Sequence, residues 1–144
     1  MTISTAKLLD NFVDIYQCFD DSSIDRLPEI YSESLIFTDP VHQIEGLEPF
    51  QAYCSKLTKR CSNLGFECHE IISTDNRATI TWHMHFNHPA LAKGKALGVE
   101  GCTILTIDGK ISRHRDYFDL GDMIYEHLPA LGYMIRQTKK RLSK

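Results

Sequence analysis

Three side chains that can move protons stand where strand alternation carries them inward: Asp39, His114 and Asp116. In the run Lys110 to Phe118, His114, Asp116 and Phe118 share one face, opposite Arg113, Arg115 and Tyr117. Neither face is plainly apolar, so the side that enters the core must bury charge. A buried carboxylate needs a partner or becomes protonated. Asp39 poses the same problem. It follows Leu35 and Phe37 at spacings of two, and both of those want the core, so Asp39 is carried inward at its strand's end. His42 lies in the loop just beyond, as a candidate for a pocket rim. Two inward acids beside imidazoles are the parts of a general acid–base site, in which burial and neighbours separate the pKa values.

Each of these residues also has a plainer reading. Asp39 precedes Pro40, a place where aspartate caps turns, and Asp116 can be a structural carboxylate bonded to Tyr or Trp groups. His83-x-His85 has the spacing of a strand metal pair. It lies opposite Trp82 and Met84, however, and so faces solvent or a partner, and no metal site is expected. Gly94, Gly98 and Gly101 lack the spacing of a dinucleotide fingerprint and no phosphate loop is present, so no cofactor is expected. Cys54 and Cys102 read as small buried hydrophobes rather than nucleophiles.

The elements that must position these residues follow from periodicity. Thr5 to Phe19 carries apolar residues at three-to-four spacing, a helix with one buried stripe that includes Tyr16. Asp20-Asp21-Ser22-Ser23 stops it and caps a short second helix bearing Leu27, Ile30 and Tyr31. Leu35 to Asp39 reads as a strand, and Gly46 opens a third helix through about Arg60, with Phe50, Tyr53 and Cys54 on its inner face. The period then changes to two. Gly65 to Thr74 and Ala78 to His88 are strands joined at Asp75-Asn76-Arg77, and Val99 to Ile107 meets Lys110 to Phe118 across Asp108-Gly109. In the second of these strands, Ile80, Trp82, Met84 and Phe86 form the apolar face. Gly121 to Leu142 reads as helical, bent or broken at Pro129. Helices followed by an antiparallel meander predict an α+β domain with a curved sheet.

Whole-chain properties set the remaining limits. The 144 residues suit one domain, 1–144, and 42% hydrophobic with 24% charged residues are ordinary globular values. The net charge of -3 gives no reason to expect nucleic acid, and the basic run Lys139, Lys140, Arg141 and Lys144 reads as a solvated helix end. No stretch approaches a membrane span, and the first residues lack the marks of a signal peptide. Five scattered cysteines without a C-x-x-C pair fit reduced thiols, so the expected compartment is the cytoplasm.

The run Tyr31 to Phe50, with Phe37-Thr38-Asp39-Pro40-Val41-His42 and Glu45-Gly46-Leu47-Glu48-Pro49-Phe50, resembles the nuclear transport factor 2-like superfamily and its SnoaL-like branch. The likeness resumes at Gly101 and runs through Asp108-Gly109-Lys110-Ile111 to His114-Arg115-Asp116-Tyr117-Phe118-Asp119. It implies a cone-shaped α+β barrel, a strongly curved antiparallel sheet wrapped around three helices from the N-terminal half, with an additional C-terminal helix. It also implies a deep pocket and a homodimer formed through the outer sheet face, where Thr81, His83, His85 and Tyr117 lie. Asp39 matches the general-base aspartate of ketosteroid isomerases. Tyr16 lies about one residue out of register with their tyrosine, and their second acid has no counterpart at Cys102-Thr103-Ile104, which argues against steroid isomerisation. Asp116 matches the last-strand aspartate that SnoaL-like cyclases use as acid or base.

The expected function is a pocket for a small, largely apolar molecule. Catalysis there is assigned to Asp116, His114 and Asp39, and the lining to Tyr16, Phe37, His42, Tyr53, Trp82, Met84 and Phe118. Two readings remain: a cofactor-free acid–base enzyme of isomerase, cyclase, dehydratase or hydrolase type, or a non-catalytic ligand-binding or protein-interaction module of the same fold.

Overall fold

The structure is a computed structural model and describes residues 3–144. Helix α1 (Thr5–Gln17) opens on Ser4, whose hydroxyl accepts the Lys7 N–H at 3.2 Å. Its buried stripe is Leu8, Leu9, Phe12, Ile15 and Tyr16. The helix stops two residues short of the expected end, but Phe19 stays buried because its N–H bonds the Leu64 carbonyl. Asp20 and Ser23 form a capping box for α2 (Asp21–Arg26).

Tyr31 departs from its expected place in that helix. Pro28, which has no N–H, sits in a tight turn spanning Leu27–Glu29, and Tyr31 then opens strand β1 (Tyr31–Thr38). The Ile30 carbonyl accepts the Ile111 N–H at 2.8 Å, drawing this segment into the sheet. The short strand β2 (Gln43–Glu45), which sequence periodicity did not reveal, folds back on β1. Helix α3 (Leu47–Arg60) follows. Then come β3 (Ser62–Ser73), β4 (Arg77–Asn87), β5 (Ala96–Asp108) and β6 (Lys110–Phe118). Gly109 takes φ +70 at the β5–β6 turn, where a side chain would be strained. The final segment is broken rather than bent: α4 (Leu120–Met123) and a turn at Tyr125–His127 precede α5 (Pro129–Leu142), with Pro129 in its first turn.

The strands form one sheet in the order β2-β1-β6-β5-β4-β3. All pairings are antiparallel but one. Strand β1 runs parallel to β6, so the sheet is mixed, where the sequence predicts an antiparallel one. Parallel neighbours need a long crossover, and the chain from α3 through β5 supplies it. Opposite Trp82 and Thr81, β3 carries one extra residue, His69, a bulge that bends the strand. The resulting curved sheet is not closed, and with its helices it forms a cone-shaped α+β fold. Its inner face presents Ile80, Trp82, Met84 and Phe86 from β4 and Val99, Thr103, Leu105 and Ile107 from β5, all buried.

Candidate functional site

The parallel seam builds the site. It sets Phe37 of β1 directly beside His114 of β6, with ring centroids 5.0 Å apart. Two residues further along each strand, the same alternation brings Asp39 and Asp116 to the inner face. On the other side of β6, β5 sets Thr103 beside Asp116, and β4 lays Trp82 across Gly101. Gly101 is a glycine for a steric reason: a Cβ there would stand 2.4 Å from the Trp82 ring.

His114 is buried, with 3% of its side chain exposed, and both ring nitrogens are bonded. Nδ1 lies 2.7 Å from the Tyr31 hydroxyl, and Nε2 lies 2.7 Å from Asp116 Oδ1. The Tyr31 hydroxyl in turn meets that of Tyr16 at 2.6 Å. From the other direction, the Trp82 indole N–H donates to Thr103 Oγ1 at 2.8 Å, and the Thr103 hydroxyl donates to Asp116 Oδ1. Donor inventory gives the network a direction. The indole only donates, so the Thr103 proton goes to the carboxylate. With the His114 ring neutral and its proton on Nε2, Tyr31 donates to Nδ1 and Tyr16 donates to Tyr31. Every donor then points toward Asp116. Burial raises the Tyr16 and Tyr31 hydroxyls well above the usual phenol range, so both keep their protons.

Both bonds to Asp116 fall on Oδ1. Among the described residues no donor reaches Oδ2, and no sealed side-chain oxygen or nitrogen lacks a partner, so Oδ2 touches open space. Asp116 lines a cavity of about 70 Å³. Tyr16, Phe37, Tyr53, Trp82, Met84 and Phe118 line it, together with Asp39, His114 and Asp116. His42 does not. Its ring lies outside, 41% exposed, with Nδ1 3.1 Å from Asp39 Oδ1 and its face against Tyr53. Asp39 combines both of its readings. Oδ1 caps the turn by accepting the Val41 and His42 N–H groups at 2.8 and 2.6 Å, yet the side chain is only 6% exposed and lines the cavity.

Cys54 also lines the cavity; burial, then the charge of Asp116, pushes its thiol up to about 12, so it is no thiolate nucleophile. Tyr31 and Thr103 escaped the sequence reading, although Thr103 shares a face with Val99, Leu105 and Ile107, and a polar residue in an apolar register is a usable signal. Among the described residues no cluster of His, Cys, Asp or Glu has the makings of a metal site.

A curved, open α+β sheet packed on helices is the cone-shaped fold of nuclear transport factor 2-like proteins. The SnoaL-like domain family matches residues 12–114, and the chain belongs to that family. A putative polyketide cyclase from Xanthomonas campestris superposes with a TM-score of 0.72 at 14% identity, covering 83% of this chain and 93% of that one. An LEH-like epoxide hydrolase from M. tuberculosis gives 0.67 at 17% identity over 91% and 94% of the two chains. A ketosteroid isomerase-like protein from Catenulispora acidiphila, in complex with trimethylamine, gives 0.71 at 12% identity over 86% and 93%. At such identities the likeness is one of fold. No curated protein matches the chain.

Proposed function

We propose that the chain binds a small, largely apolar molecule in this cavity and transfers a proton on it without a cofactor. Asp116 is the transferring group, His114 its positioning partner, and Asp39 orients the bound molecule. One observation carries the reading. Donors converge on Asp116 Oδ1 from two directions, no donor among the described residues reaches Oδ2, and the residue lines the cavity. Such a carboxylate is held in one rotamer with an oxygen free to take or give a proton, which is what general acid–base catalysis requires. The reaction class is isomerisation, cyclisation, dehydration or hydrolysis. The trimethylamine complex of the Catenulispora neighbour is in keeping with a ligand of this size.

The test is a panel of small ketones, enones and epoxides, followed by proton NMR in D2O. Turnover by the natural chain is expected to fall by at least about 100-fold in Asp116→Asn, with the circular dichroism spectrum unchanged. Undiminished turnover in the variant removes Asp116 from the mechanism.

A second reading, ligand or protein binding without turnover, draws on the volume. About 70 Å³ is well below the ~300–1,000 Å³ of sites for drug-sized ligands. Binding without turnover across the panel would favour it.

We also propose a homodimer through the outer sheet face, where Tyr117 is 45% exposed and Ile72, paired with Thr79 of β4, is 64% exposed. Sedimentation giving only a 16.5 kDa species at micromolar concentration would refute the pairing. The expected compartment remains the cytoplasm, in keeping with five free thiols. Among the described residues no helix is long and apolar enough to cross a membrane.

A further inference from the structure

We infer that the molecule held in this cavity is a small organic cation, an alkylated ammonium group enclosed by aromatic faces and facing Asp39 and Asp116. The inference rests on the reading of the cavity as a ligand site and adds the charge of the ligand to it. Three features of the walls support it.

The first is their aromatic character. Phe37, Phe50, Tyr53, Phe66, Trp82 and Phe118 all border the space. Ring faces carry negative potential and attract cations most strongly where water is excluded. The second is the sign of the charge. Two carboxylates line the cavity, and no Lys or Arg joins them among the described residues. The one basic group, His114, has both nitrogens engaged. An anionic ligand would meet like charge from both aspartates. A neutral one would strip water from them and give no charge in return, whereas a cation compensates that loss. The third is size. A cavity of about 70 Å³, well below the ~300–1,000 Å³ of sites for drug-sized ligands, suits a compact group. The same negative field shows in Tyr53, whose hydroxyl is raised above the usual phenol range by burial and then by Asp39.

The experiment compares tetramethylammonium with tert-butanol, a neutral molecule of nearly the same size and shape, at pH 7 and constant ionic strength. Trp82 is the only tryptophan, so its emission reports the cavity directly. Ring-current shifts of the methyl protons supply a second readout. Tetramethylammonium should bind roughly tenfold more tightly or better. The Asp39→Asn and Asp116→Asn variants, which change charge at constant shape, should bring the ratio toward one. Equal or tighter binding of tert-butanol overturns the cation inference and leaves the ligand pocket standing. If neither molecule perturbs Trp82 or shifts its own methyl signals, both the inference and the pocket reading fall.

Discussion

At the scale of single residues, the site is a chain of six side chains in which each hydroxyl or ring nitrogen has one structural task. Tyr31 holds two of the links, to Tyr16 and to His114. Tyr31→Phe therefore leaves one buried phenol and one ring nitrogen without partners, and the expected cost is about 1–3 kcal/mol in urea unfolding. Thr103→Val strands the Trp82 N–H and removes a donor from Asp116, with a loss of similar size. A loss below about 0.5 kcal/mol in both variants would show that the network contributes little to stability. Alternation carried Asp39 inward behind Leu35 and Phe37 and put His114 and Asp116 on one face. Neither face of that strand is plainly apolar, so it is the pairing with β1 and β5 that turns that face to the core. Tyr31 was not legible in the same way. Leu27, Ile30 and Tyr31 have helical spacing, and only the pairing with β6 pulls Tyr31 into a strand. A loop has no period, so the direction of the His42 ring is set by Asp39 and Tyr53 rather than by alternation.

At the scale of elements, the long strands β3 to β6 were legible because each runs nine or more residues, β4 alternates clearly, and the connections between them carry Asp, Asn and Gly. The three-residue β2 is too short to show a period. The parallel pairing of β1 with β6 is invisible to local pattern, since nothing in a strand's own residues states the direction of its neighbour. Packing between elements depends on one close approach, that of the Trp82 ring to Gly101. In Gly101→Ala the new methyl meets the ring on one side and the Tyr117 carbonyl, 2.7 Å away, on the other. With no room on either side, overpacking should cost about 1–3 kcal/mol and pull the indole from Thr103. A shift of the Trp82 emission maximum together with a lower urea midpoint is the expected signature. An unchanged spectrum would mean that the strand moves instead of the ring.

For the whole molecule, the buried hydroxyls and thiol dictate how stability responds to alkali. Cys54 and the tyrosines Tyr16, Tyr31 and Tyr53 all have folded-state pKa values raised chiefly by burial. In the unfolded chain these groups ionise near their ordinary values, 9.0 for the thiol and 10.0 for the phenols, while in the fold they hold their protons. Their contribution is complete below those values and is lost as pH rises, since the unfolded state releases protons first. Thermal and urea stability should thus fall steadily from about pH 9 toward 12, by about 1.4 kcal/mol per pH unit for each group that stays protonated. A flat profile through pH 11 would mean that these side chains reach solvent in the folded state.

The parallel seam carries a consequence for the order in which the protein is made. Tyr31 and His114 touch across 83 positions of the chain, whereas β3, β4 and β5 pair with their neighbours in sequence through local connections. Contacts that close large loops form late, because the entropy of closure is lost before the contact returns it. The meander should thus acquire amide protection early in refolding. Protection at β1, and with it the joining of Tyr16, Tyr31 and His114, should arrive in the last step. A ribosome-bound chain whose β6 has not yet emerged holds Asp39 and the aromatic walls other than Phe118 but neither His114 nor Asp116, so the cavity gains its chemistry only once synthesis has passed the final strand.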